Sequence, residues 1–212
     1  TASHLKRPRL CLLHLQMLIR DRRKGLSVVA LYAVLAAKGF SPIEQVKREF
    51  SKFGSLFIGH PNNKLPGIEM NSGSLGHGLP VSVGMALAGK MNRKDYRVYT
   101  VMGDGELAEG SVWEGIMAAS QYKLDNLCAV IDRNRLQISG NTEEVMGHDD
   151  LQSRLSSFGW YVITVQNGNN LLELNEAFET AKTVKGQPCI ILANTIKGYG
   201  SSVMENKAEW HH

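Results

Sequence analysis

The chain has 212 residues, 43% of them apolar and 21% charged, with a formal net charge of +4. That is the profile of one well-cored globular domain. No uncharged apolar run approaches the roughly 20 residues of a membrane-spanning helix, and no segment is repeated or low in complexity. The positive surplus is local: seven Lys/Arg and one acid, Asp21, fall within residues 1–24, so the remainder is slightly acidic and nucleic-acid binding by the body is not indicated.

The leading segment, HLKRPRLCLLHLQMLIRDRRK (4–24), is rich in Leu and Arg and nearly free of acids. It reads as a basic segment distinct from the domain over 25–212, either an amphipathic helix packed on the body or a neighbour, or a transit peptide. Ser41-Pro42-Ile43-Glu44 predicts a helix start, with Ser as cap, Pro at the first helical position and Glu closing a capping box; Gly54 is placed to end that helix. Residues 54–72, rich in Gly, Pro and Asn, read as a loop. Small residues dominate GLPVSVGMALAGKM (78–91), which suits a helix packed closely on a sheet.

YRVYTVM (96–102) then reads as a buried strand, 110–123 as a helix and LCAVID (127–132) as the next strand. Asp149 is placed to cap a short helix running to Phe158. WYVITV (160–165) reads as a strand, 170–185 as a helix and CIILAN (189–194) as a strand. Near-continuously apolar strands alternating with helices predict an α/β fold, a parallel sheet with helices on both faces. Cys11, Cys128 and Cys189 are too scattered for a disulfide framework or a zinc site, and the last two sit in strand-like runs, as core thiols of a reducing cytoplasm do.

Ligands of such sheets sit outside the carboxyl ends of the strands. GDGELAEG (103–110) occupies that place after strand 96–102, and Asp132-Arg133-Asn134 occupies it after strand 127–132. Gly103 and Gly105 let backbone approach a ligand, and the start of the following helix favours an anion such as a phosphate. An aspartate in the same turn repels that phosphate unless a cation lies between them. Mg²⁺ resolves the conflict, since it bridges carboxylates and phosphates through oxygen ligands. Asp104, the Asn134 amide and a carbonyl such as that of Leu136 are the candidate ligands; the plain alternative is that Gly-Asp-Gly only makes a turn.

GDG is followed after 28 residues by Asn134. With GSLGHG (73–78), KDYRVYTVMGDGELAEGSVWE (94–114), YKLDNLCAVIDRNRLQISG (122–140), FGWYVITV (158–165) and IKGYGSSVMENKAEWHH (196–212), this spacing resembles the transketolases, in particular their N-terminal half, a separate subunit in many prokaryotes. The resemblance implies thiamine diphosphate and Mg²⁺ as cofactors. It assigns Asp104, Asn134 and the Leu136 carbonyl to the metal, Gly105 to the diphosphate, and Gly73, Ser74 and Leu75 to the pyrimidine end. Lys197 and His211 match cofactor contacts, His60 a sugar contact, and Glu109 and Glu114 acids of a network between paired active sites. On the residues alone, Glu109 and Glu114 also read as first-turn acids matching a helix dipole, and His60 and Lys197 as surface side chains.

The family's cofactor-activating glutamate belongs to the pyrimidine-binding half. The resemblance therefore implies a C-terminal partner subunit, a heterotetramer of two of each, and transfer of a two-carbon ketol unit between sugar phosphates. The helices at 78–91 and 110–123 are the candidate dimer surfaces. Two family features are absent: a GHPGG-type motif has no counterpart, and Lys24-Gly25 is followed by Leu26 where the family has histidine. The alternative these absences raise is a non-catalytic, degenerate homologue acting in binding or assembly.

Overall fold

The protein is described by a computed structural model covering residues 15–19 and 25–211. Its frame is a five-stranded, all-parallel sheet in the order β1-β2-β3-β7-β6, built from β1 (Leu15–Ile19), β2 (Arg97–Gly103), β3 (Leu127–Arg133), β6 (Tyr161–Val165) and β7 (Cys189–Asn194). The α/β reading from sequence is correct, and the five central and C-terminal elements it placed at 96–102, 127–132, 160–165, 170–185 and 189–194 lie within two residues of where they occur.

Alternation along the strands explains the layering. Leu127, Ala129 and Ile131 of β3 and Ile190 and Leu192 of β7 point to one face, where α3 (Gly78–Met91), α4 (Gly110–Gln121) and α6 (Leu151–Ser157) cover them. Cys128 and Val130, with Cys189, Ile191 and Ala193, point to the other face, under α7 (Leu171–Thr183). A parallel strand buried on both faces must be apolar at every position, which is why these segments show no polar alternation. The two cysteines are register partners across β3 and β7. Contact with Cys189, reinforced by burial, holds the Cys128 thiol protonated well above the usual range.

Small residues in α3 and α4 do what their size suggests. A Cβ at Gly115 would lie 3.3 Å from Leu79, and one at Gly89 would lie 2.8 Å from the Tyr96 ring, whose hydroxyl donates to the Met85 carbonyl at 2.8 Å. α1 (Gly25–Ala37) and α2 (Ile43–Glu49) form a separate apolar cluster, in which Val28, Tyr32 and Val46 pack with Phe57 and Leu65 from the following loop.

Several local expectations are corrected. Part of the leading segment is strand, not helix: Leu15–Ile19 pairs in parallel with β2. The readings on residues 1–14 and 20–24 lie outside the described residues. The helix expected from Ser41 begins at Ile43 with Pro42 as its cap, a residue whose side chain makes no capping hydrogen bond. Glu44 pairs with Lys47 at 2.9 Å instead of closing a capping box, and the helix ends at Glu49, before Gly54. Asp150, not Asp149, caps α6, accepting from the Ser153 N–H at 3.0 Å. The helix α1 had no counterpart in the sequence reading. Among the described residues no helix is long and apolar enough to cross a membrane.

Ile131 is fully buried at the centre of β3. Ile131→Ala is expected to lower stability by about 2–5 kcal/mol in urea unfolding, since the packed face cannot collapse into the space left.

Candidate functional site

β2 and β3 are neighbours with Gly103 opposite Asp132, so the two motif loops meet at one edge, as their positions after the strands required. The chain does not pass directly from Gly-Asp-Gly into an α-helix. Asp104–Ala108 form a 3₁₀ turn, and α4 starts only at Gly110. The helix expected over 110–123 is therefore in its place, as Gly110–Gln121, with a 3₁₀ turn set between it and the end of the strand. What the turn achieves is burial of acids.

Asp104 is 3% exposed. Its Oδ2 accepts from the Arg135 N–H at 2.7 Å and from the Thr142 hydroxyl at 3.3 Å, and its Oδ1 from the N–H of Gly105 at 3.0 Å. Burial pushes its carboxyl up to about 6, with the Asp132 charge adding to the rise while the N–H groups of Arg135 and Gly105 and the Thr142 hydroxyl oppose it. Asn134 is also buried. Its Oδ1 accepts from the Leu136 N–H at 3.1 Å and its amide donates to Asp132 Oδ2 at 3.1 Å. Arg135 between them takes a left-handed conformation, φ 61°, which brings its N–H round to Asp104. Leu136 then enters the hairpin of β4 (Leu136–Gln137) and β5 (Gly140–Asn141), opposite Asn141.

Two acids close together in a poorly solvated edge, with an amide oxygen beside them, form a donor set for a hard cation. No three His, Cys, Asp or Glu side chains converge as a metal cluster among the described residues. The set suits an ion that keeps part of its shell for phosphate and water, which is the behaviour of Mg²⁺. The backbone around Gly105 is tight: a Cβ there would lie 3.1 Å from the Gln137 side chain.

Beside Asn134 opens a cavity of about 460 Å³. Asp132, Thr195, Lys197, Tyr199 and Trp210 are among its lining residues. Lys197 is 6% exposed, not the surface charge that its Gly-flanked turn suggests. Its carbonyl accepts from the Asn206 N–H at 2.8 Å, and a Cβ at Gly198, φ +69°, would lie 2.8 Å from the Met204 carbonyl, so the loop after β7 folds tightly on itself. The Thr195 hydroxyl donates to Asp132, which ties the ends of β3 and β7 together. His211 ends the short 3₁₀ segment Ala208–His211.

Glu106 went unassigned in sequence, yet it is 2% exposed and organises the neighbouring loop. Its Oε1 accepts from the Gly76 N–H at 2.8 Å, while the Gly76 carbonyl accepts from Ser111 Oγ at 2.8 Å. Both backbone groups of Gly76 are thus held by the segment after β2. Here glycine is required: φ is +77°, and a Cβ would lie 2.4 Å from Ser111 Oγ. Gly73, Ser74 and Leu75 precede this clamp and are carried on it.

His60 is exposed, but its ring packs on Gly73, where a Cβ would lie 3.0 Å from the ring. Its loop is held from behind by the Tyr32 hydroxyl, which donates to the Ile58 carbonyl at 2.8 Å. Glu109 and Glu114 are both exposed. Glu109 is the residue preceding α4 and makes no side-chain capping bond, and Glu114 lies on the outer face of that helix. The structure therefore gathers Asp104, Gly105, Asn134 and Leu136 at one edge, sets Lys197 and His211 in the segment after β7 and His60 against Gly73, and leaves Glu109 and Glu114 facing outward.

Two outcomes follow. In the metal-free chain, the Asp104 carboxyl at about 6 lies above its ordinary 3.8, so the folded state retains a proton that the unfolded chain has released. The resulting stability is complete below about pH 4 and is lost as pH rises through about 6, a change of about 3 kcal/mol. Urea midpoints across that range should fall with rising pH, and Asp104→Asn should flatten the curve. Gly76→Ala should cost about 1–3 kcal/mol by the same measurement, through the clash and the left-handed backbone.

Residues 16–212 match the family described as transketolase, thiamine diphosphate binding domain. The chain is 50% identical over 196 residues to an apulose-4-phosphate transketolase subunit of Phocaeicola vulgatus, covering 91% of this chain and 69% of that one. It is 42% identical over 197 residues to a 6-deoxy-6-sulfo-D-fructose transketolase subunit of a Clostridium species, covering 91% and 71%. Human transketolase is 44% identical over 189 residues, 89% of this chain and 30% of its own length. Among solved structures, the transketolase of Campylobacter jejuni superposes with a TM-score of 0.86 at 28% identity, over 94% of this chain and 32% of that one. The family's cofactor is thiamine diphosphate, with Mg²⁺ as its usual metal, and the oxygen donors at the edge of β2 and β3 fit that pair. The chain belongs to the transketolase family and forms its thiamine-diphosphate-binding domain.

Proposed function

We propose that the chain is the N-terminal subunit of a split transketolase, working with a C-terminal subunit that supplies the pyrimidine-binding half. The observation that carries this is the buried Asp104 beside Asn134 at the ends of paired strands, in a chain whose relatives include proteins named as transketolase subunits. The chain spans about a third of the length of the single-chain transketolases it matches, and in this reading the partner supplies the remainder. The assembly proposed is two of each subunit, with α3 and α4 toward the dimer axis, where Met91 and Met117 are exposed.

In this reading Asp104, the Asn134 amide and the Leu136 carbonyl hold Mg²⁺. The Gly105 backbone receives the diphosphate, with Lys197 and His211 closing on the cofactor from the loop after β7. Gly73, Ser74 and Leu75 meet its pyrimidine end, carried on the Gly76 clamp. Thiamine diphosphate, when bound, supplies the carbon nucleophile and electron sink for moving a two-carbon ketol unit from a ketose phosphate to an aldose phosphate. The protein's part is to fix the charged tail, keep water from the buried edge and offer hydrogen bonds to the sugar. In this reading His60, exposed and braced on Gly73, offers one such bond. Glu109 and Glu114, which are exposed, are in this reading the acids of the network that runs toward a second copy across the dimer axis.

The test combines this chain with its partner subunit, thiamine diphosphate, Mg²⁺ and a ketose phosphate donor with an aldose phosphate acceptor. Turnover is expected only with both subunits present. Asp104→Ala should weaken cofactor binding measured by calorimetry by about 100-fold or more, beyond the usual effect of an outer-shell residue. Undiminished affinity in that variant would overturn the metal assignment. A complex that binds the cofactor and turns over no donor would instead support the degenerate, non-catalytic alternative.

A further inference from the structure

Thr142 lies outside the motifs that carry the family likeness, and the structure brings it back to the start of its own loop. The β4–β5 hairpin reverses the chain, so that Thr142, first residue of α5 (Thr142–Met146), donates its N–H to the Arg135 carbonyl at 3.0 Å. Arg135 in turn donates its own N–H to Asp104 Oδ2 at 2.7 Å. The Thr142 hydroxyl, on a side chain 2% exposed, reaches the same Oδ2 at 3.3 Å. One carboxylate oxygen thus receives two donors from a single closed loop, while Oδ1 accepts from the N–H of Gly105.

We propose that Thr142 is a positioning residue for the cation site: its hydroxyl and the Arg135 N–H hold Oδ2 and present Oδ1 to the metal as a monodentate ligand. The physical reason is rotational. A carboxylate turns easily about its last torsion, whose energy wells are broad. Each of its oxygens has two lone-pair directions, so the bond from Gly105 leaves Oδ1 one for a cation. Two donors anchored in the same hairpin fix the plane of the group before the metal arrives. Outer-shell donors of this kind typically change metal affinity about 10–100-fold when removed. The inference rests on the reading of Asp104 as a magnesium ligand.

The test is calorimetric titration of Mg²⁺ into the assembled two-subunit complex at saturating thiamine diphosphate. Thr142→Val keeps the shape and removes the hydroxyl, and should weaken Mg²⁺ binding about 10-fold. Thr142→Ala, which also lacks the hydroxyl but relieves any packing strain, should do the same if the valine variant folds poorly. Thr142→Ser restores the donor and should return the affinity to that of the unmodified chain, a rescue that a purely packing role would not give. Asp104→Ala is the reference. If it leaves Mg²⁺ affinity intact, the metal assignment itself fails. If it abolishes binding while the valine and alanine variants match the unmodified chain, or if serine fails to rescue, the positioning role alone is overturned.

Discussion

The site depends on one constraint: Asp104 carries its carboxylate into a place where water cannot solvate it. An acid 3% exposed at the end of a strand must find its stabilisation in the protein. It finds part of it in the Arg135 and Gly105 N–H groups and the Thr142 hydroxyl, and part is withheld, because Asp132 sits close by with a charge of the same sign. Burial and the Asp132 charge thus both disfavour the ionised form of Asp104. Local strain of this kind, compensated by the rest of the fold, is what a binding site costs.

The sheet makes that compensation possible. Strands β2, β3 and β7 are adjacent and share register, so Gly103, Asp132 and Ala193 lie in one line across the sheet. Loops leaving those strands are held by hydrogen bonds between them, from the Thr195 hydroxyl to Asp132 and from the Thr195 N–H to the Arg133 carbonyl at 3.1 Å. The second acid of the 103–110 run, Glu106, works differently. It turns inward to hold a glycine of a distant loop, so the stretch that positions the cation donors also positions the segment 73–76.

How much of this was legible in the sequence follows from the range of the forces involved. The strands were legible because burial on both faces leaves an unbroken apolar run, and the motif loops because their spacing follows from adjacent parallel strands. Glu106 was not, although it lies inside the GDGELAEG run. Nothing local distinguishes an acid that reaches a backbone N–H 30 residues away from one that caps a helix. Lys197, a cofactor contact by resemblance, reads on its own residues as a surface side chain for the same reason: flanking glycines signal a turn, and whether the turn folds inward is settled by Met204 and Asn206, which lie several residues further along. The capping box at Ser41 failed because the helix starts one residue later, with Pro42 as its cap, which leaves Glu44 at the second helical position and free to pair with Lys47. The leading segment misled through composition. Leu and Arg suggest an amphipathic helix, but LQMLI is also a run that can add to the exposed edge of β2, and pairing with that edge prevailed.

The separate cluster around Tyr32 gives the His60 loop a footing of its own. Val28, Val46, Phe57 and Leu65 pack with that ring and not with the sheet, and the loop bearing His60 is attached to them through Tyr32 and Ile58. The loop with Asp104 and Glu106 is built on the main core through Leu107, Val112 and Ile116. The loop bearing His60 thus rests on one apolar cluster and the loop bearing Asp104 on another. The two meet where the His60 ring packs on Gly73, three residues ahead of the glycine that Glu106 holds, so a loop resting on one apolar cluster is joined to a segment anchored on the other.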